Sequence, residues 1–276
     1  MSPFLRLQPT ESTLWAVLFS TLVMMSAAGS LAQEGSFSET SPIFLKWSAG
    51  FDFSRGDYGL NESTTLYYVP LNVTLDYRRF RARVGIPFLA SSGPTQLSLD
   101  TSGGGGSSVE IIDSDKSQGV GQLQVDLSYL FDPLAEGLPY LELSSKISAP
   151  TESRRDLGSG LWSVAAEVEI FESIGRFTPY LSSGRKFYEH CGCEDSLRDR
   201  FFASVGATVV WTKKLSVGVG YDWLEAARKG NPDSHEIVPY ASYRLNDDWS
   251  VGPYTVIGLS NGSPDFGVGF SVSVRQ

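Results

Sequence analysis

The 276-residue sequence predicts an all-β chain, an up-and-down antiparallel transmembrane β-barrel of about twelve strands. Three observations lead there. Large apolar residues alternate with small or polar ones, the period of a strand with two unlike faces. The alternating runs are ten to fifteen residues long, whereas strands of soluble proteins average about five or six and tilted membrane strands need roughly 9–11. The connections sort by parity into a long set and a short set, as in outer-membrane barrels.

The strands are expected near residues 43–54, 63–77, 80–92, 119–131, 139–149, 159–172, 176–189, 199–211, 215–226, 235–245, 249–260 and 265–275. The clearest is "LSVGVGYDW", where Leu215, Val217, Val219 and Tyr221 alternate with Ser216, Gly218, Gly220 and Asp222. In the eighth run Phe201, Ala203, Val205, Val209 and Trp211 share one face, and in the last Phe266, Val268, Phe270, Val272 and Val274 do. Odd connections are long: "RGDYGLNE", the Gly/Ser-rich 93–118, "TESRRDLG", "HCGCEDSLRD", "ARKGNPDS" and "NGSP". Even ones are mostly short: "YRR", "FDPLAEGL", "ESIG", "TKK" and "NDD". Aromatic residues such as Trp47, Tyr77, Phe80, Tyr129, Trp211, Trp223 and Trp249 mark run ends, where girdles at the membrane interfaces are expected. Pro70, Pro87, Pro179, Pro239 and Pro253 oppose the reading, because proline cannot donate to a ladder and a closed barrel has no edges. Bulges or displaced strand ends must absorb them.

Composition narrows the function. A net charge of −9 excludes nucleic acid as a partner, since phosphate binding needs a basic surface. Residues 1–32 read as an export signal: Arg6, the apolar "LWAVLFSTLVMM" and the small "SLA" before a cleavage point. The barrel domain is then 33–276, with outer-membrane lipid around it.

The order of several motifs resembles a known family. "FDFSRGDYG", "TTLYYVPLNVTLDYRRFRARVGIPFLA", "GVGQLQVDLSYLF", "LELSSKISAPTESRRDLGSGLW", "PYLSSGRKF" and "LSVGVGYDW" together resemble the outer-membrane transporter-like family associated with the meta-cleavage pathway of phenol degradation. The resemblance implies a β-barrel that moves small, often aromatic, compounds. The "CGC" loop and the long Gly/Ser loop depart from that pattern.

The face opposite the apolar one carries the candidate lumen residues Arg81, Arg83, Asp126, Glu142, Lys146, Glu167, Glu169 and Asp222. Four Pro-Tyr pairs place Tyr140, Tyr180, Tyr240 and Tyr254 on that face by parity, either as interfacial or packing tyrosines or as an aromatic passage for which Tyr180 and Tyr254 are the candidates. Cys191 and Cys193 are candidates for a disulfide, although a bridge across one intervening residue closes a small strained ring. His190 and His235 are the only histidines, and the neighbours of His235 point to the opposite face, so no triad forms and no enzyme is expected. "SGGGGSS" lacks the Lys-Ser/Thr of a phosphate loop, and no cofactor or metal is expected. Passive passage of small solutes is the leading function. A structural or adhesive barrel filled by its own side chains, and an exported soluble β-protein, are the alternatives. If the pore is gated, the 93–118 loop is the candidate lid.

Overall fold

A computed structural model describes residues 43–58, 62–93, 96–100, 108–110, 116–133, 135, 137–152, 157, 159–189 and 197–276. The export signal, His190, Cys191 and Cys193 lie outside the described residues. So does most of the loop proposed as a lid.

The strands are β1 (Phe44–Gly56), β2 (Thr64–Tyr77), β3 (Phe80–Ser92), β4 (Gln96–Asp100), β5 (Ser108–Glu110), β6 (Lys116–Val120), β7 (Leu123–Phe131), β8 (Tyr140–Ala149), β9 (Ser163–Phe171), β10 (Phe177–Tyr188), β11 (Arg200–Val210), β12 (Leu215–Leu224), β13 (Ser234–Arg244), β14 (Trp249–Gly258) and β15 (Phe266–Arg275). Each barrel strand pairs antiparallel with its neighbour, and β15 pairs with β1 to close the sheet. The closed ring has twelve strands, because β6 and β7 are two segments of one. The β4–β5 hairpin, unforeseen from sequence, stands apart from the barrel sheet.

Both termini of the ring lie at one end, the periplasmic side in barrels of this type. The short turns lie at that end too. The tightest is Arg78-Arg79, where Arg78 takes φ 54°, a region that costs a non-glycine residue about 1 kcal/mol. Side chains shape two others. Thr212 Oγ1 accepts from the Lys214 and Leu215 amides at 3.2 and 3.0 Å, and Asn246 Oδ1 accepts from Asp248 and Trp249 at 3.0 and 2.8 Å.

The prolines are absorbed by local gaps. Opposite Pro87 the partner strand carries an extra residue: Gly85 lies level with Gln124 but Phe88 with Val120, so Gly121, Gln122 and Leu123 face Ile86 and Pro87. The Gly121 amide donates to the Pro87 carbonyl at 2.9 Å. The β1–β2 ladder lapses between Ala49↔Leu71 and Asp52↔Tyr68, where Pro70 sits. A Cβ on Gly50 would meet the Pro70 ring at 3.0 Å, so glycine makes room for it. Pro239 and Pro253 fall in two successive lapses of the β13–β14 ladder. Pro179 lies just beyond the end of the β9–β10 ladder.

The outer face is apolar and exposed around the ring, including Leu71, Val84, Val168, Leu181, Val205, Val219, Val268 and Phe270. Trp47, Tyr77, Phe80, Tyr129, Phe131, Phe177, Trp211, Tyr243 and Trp249 form a girdle near the periplasmic end. A soluble sheet would bury such a surface, of order 10² kcal/mol of hydrophobic driving force for a whole domain. A closed ring with this belt is a transmembrane β-barrel of the outer-membrane type.

Candidate functional site

The interior is the candidate site, and its two halves differ. Along β1, β2, β3, β7 and β8 the inward residues Lys46, Asp52, Asn72, Arg83, Asp126 and Lys146 are only half-buried, so water reaches them, although Leu66, Tyr68, Thr74, Leu89 and Glu142 on the same strands are buried. Along β9 to β14 the inward side chains are nearly all buried.

Charged pairs set the first half. Arg81 Nε donates to Asp76 Oδ1 at 2.6 Å. Lys146 Nζ lies 3.5 Å from Asp126, and the register places Arg83 level with that carboxylate on its other side. At the rim Arg79 pairs with Asp132, and the Arg275 guanidinium lies 3.6 Å over the Phe44 ring.

Aromatic packing sets the second half and reaches back onto β7 and β8. Leu130, Phe171, Tyr180, Val238, Tyr240 and Val256 form one cluster, with Tyr140 and Tyr254 packed on it. All four tyrosines of the Pro-Tyr pairs thus converge. Tyr140 stacks on Phe171 at 5.4 Å between centroids and 10° between planes. The rings lie flat against the wall because glycines stand beneath them. A Cβ on Gly206 would come within 2.5 Å of Tyr180 Oη, and one on Gly269 within 2.5 Å of Tyr254 Cζ. Gly218 stands in the same way beneath Tyr240, and Gly184 beneath Phe202. Tyr240 also hydrogen-bonds Thr208. The sequence shows these glycines as the lean face of each strand, but which ring covers which glycine depends on register.

The structure brings Glu142 and Glu169 level on β8 and β9, and Asp222 and Glu236 level on β12 and β13. Glu142, Glu169, Asp222 and Glu236 are 7%, 3%, 4% and 1% exposed. Glu167 accepts a hydrogen bond from Ser144 at 3.4 Å. Sequence reasoning missed the buried Glu236, Lys186 and Arg200, all of which alternation alone puts on the inner face. Among the described residues no group of three His, Cys, Asp or Glu side chains is placed to hold a metal ion.

At the extracellular end several connections fold inward onto the barrel. Leu157, in the connection after β8, is 1% exposed and packs on Leu66, Tyr68 and Leu89. Gln122 Nε2 holds that connection through Ser159 Oγ at 3.0 Å. Leu197 and Ala227 pack on Tyr188. Tyr58 is buried beside them, hydrogen-bonded to Ser54 at 3.2 Å, and burial pushes its phenol above the usual range. Ser234, Ser260 and Ser263 link β13 to the last extracellular connection at 3.0 Å each. The inward-folded residues therefore come from several connections, Leu157 from 150–162 among them.

No family model matches the chain, and no curated protein is similar in sequence. Solved structures are similar in fold. An outer membrane channel from Pseudomonas putida F1 matches with a TM-score of 0.65 at 14% identity, covering 89% of this chain and 100% of that one. The translocator domain of the autotransporter NalP from Neisseria meningitidis matches with a TM-score of 0.51 at 9% identity, covering 86% and 90%. A channel and an autotransporter translocator share this architecture, so fold alone does not select the cargo.

Proposed function

We propose that the protein is a passive outer-membrane channel for small solutes, with aromatic compounds among them. The observation that carries this reading is the division of the interior. A barrel filled only by its own side chains would pack both halves, yet half-buried polar and charged residues line one half from the periplasmic rim upward. The half-buried Tyr140 and Tyr254 of the tyrosine cluster offer ring faces to an aromatic solute. On this reading Arg81, Arg83, Asp126, Glu142, Lys146, Glu167, Glu169, Tyr180, Asp222 and Tyr254 line the passage or its constriction. Residues 1–32 supply export. The tie to phenol degradation rests on the sequence resemblance.

The inward-folded Leu157 favours a second reading, a barrel closed at rest. Planar-bilayer recording of the refolded protein separates the two. Discrete conductance steps are expected, enlarged by about half or more when Tyr180→Ala and Tyr254→Ala are combined. A silent bilayer, from protein that shows a folded, heat-modifiable band, would leave the closed barrel.

A further inference from the structure

Backbone register shows an ordering of the interior charges that no single strand reveals. In a closed barrel a line of level residues runs perpendicular to tilted strands, so it climbs the wall as it passes from strand to strand. One such line starts at Arg275 on β15 and passes through Lys46 on β1, Arg83 on β3, Lys146 on β8 and Lys186 on β10 to Arg200 on β11. Between them stand Thr74, Asp126 and Ala165. Six of its nine positions are basic and one is acidic. Its start is the last residue of β15 at the periplasmic rim, and its end is the first residue of β11 at the extracellular mouth.

We propose that this line is a cation staircase, and that the channel conducts small anions, carboxylates in particular, along it. The inference rests on the channel reading above and names its solute class. Successive bases are one or two strands apart, roughly 5–10 Å at the usual strand spacing. That is about the Debye length at physiological ionic strength, so an anion leaving one base is already attracted by the next. The lower four steps, Arg275, Lys46, Arg83 and Lys146, lie on the wetted wall. The upper two, Lys186 and Arg200, are each 4% exposed and flank the Tyr188 ring at 5.0 and 5.7 Å. An opposing line exists. Glu142, Glu169, Asp222 and Glu236 follow a second register line through Ser182 and Ser204. Those four acids are buried, whereas Arg275, Lys46, Arg81, Arg83 and Lys146 are half-buried beside Asp52, Asp76 and Asp126, so a solute in water meets a wall on which bases outnumber acids.

The test is the reversal potential of the refolded, full-length protein in planar bilayers under a potassium chloride gradient and then a potassium acetate gradient. The wild type is expected to pass either anion over potassium by at least about threefold, as a lining with an excess of one sign concentrates counter-ions. Combining Lys46→Gln with Lys146→Gln should bring the ratio toward one, while Arg185→Gln on the outer face should leave it unchanged. Clear conductance without anion preference, or with potassium preferred, overturns the staircase and leaves the channel standing. No conductance overturns both. The wild-type ratio decides the matter even where a variant fails to fold.

Discussion

The two halves of the barrel wall use opposite means to hold a polar interior. On the wetted side, charges are matched and partly hydrated: Arg81 and Asp76 pair at 2.6 Å with side chains 15% and 18% exposed. On the packed side, rings are pressed onto glycines, and carboxylates are covered. The first half is stabilised by pairing and tolerates water; the second by close contact and excludes it. One sheet can therefore supply both a passage and the packing that keeps its outline.

The comparison breaks most visibly at a glycine. Gly218→Val places methyl groups where the Tyr240 ring lies, and the ring cannot retreat without losing Thr208. Overpacking of this kind costs typically about 1–3 kcal/mol. The expected outcome is a clear fall in the urea midpoint, followed by tryptophan fluorescence in detergent, with conductance altered in any protein that still folds. The wetted half should respond less. Asp76→Asn removes the carboxylate from Arg81, and because both side chains keep some water the loss should be about 1 kcal/mol. Should Asp76→Asn prove as costly as Gly218→Val, the contrast between the halves is wrong.

Much of this was legible in the sequence, for a physical reason. A membrane strand must be long, apolar on one face and closed at both edges, so strand positions, the parity of the connections and the inward set from Arg81 to Asp222 follow from alternation. Register does not follow from alternation, because every shift by two residues preserves the faces. The glycine under each tyrosine, the level pair Glu142 and Glu169, and the staircase are all register facts, and all were invisible. The prolines show the same limit. Sequence says that Pro87 needs a bulge, but only pairing shows that Gly121 and Gln122 provide it. The fourth strand was expected from residue 119 and begins at Lys116, since Lys116–Val120 and Leu123–Phe131 continue each other across that bulge. Leu157 carries no periodic signal at all, being an apolar residue between Asp156 and Gly158 in a loop.

The smallest expected effect has the opposite sign and sharpens the comparison most. Glu169 is 3% exposed, neither of its carboxylate oxygens has a hydrogen-bond partner, and Glu142 is level with it on the next strand. Burying a carboxylate that is neither paired nor bonded is costly, and a like charge opposite adds to the cost. Glu169→Gln keeps the shape and removes the charge, so it should stabilise the barrel by about 1 kcal/mol, read as a rise in the urea midpoint. The same change at a matched site removes an attraction instead, which is why Asp76→Asn lowers the midpoint. If Glu169→Gln also lowers it, then Glu169 is held by interactions of the kind found on the wetted side, and the packed half is not a region where charge is merely covered.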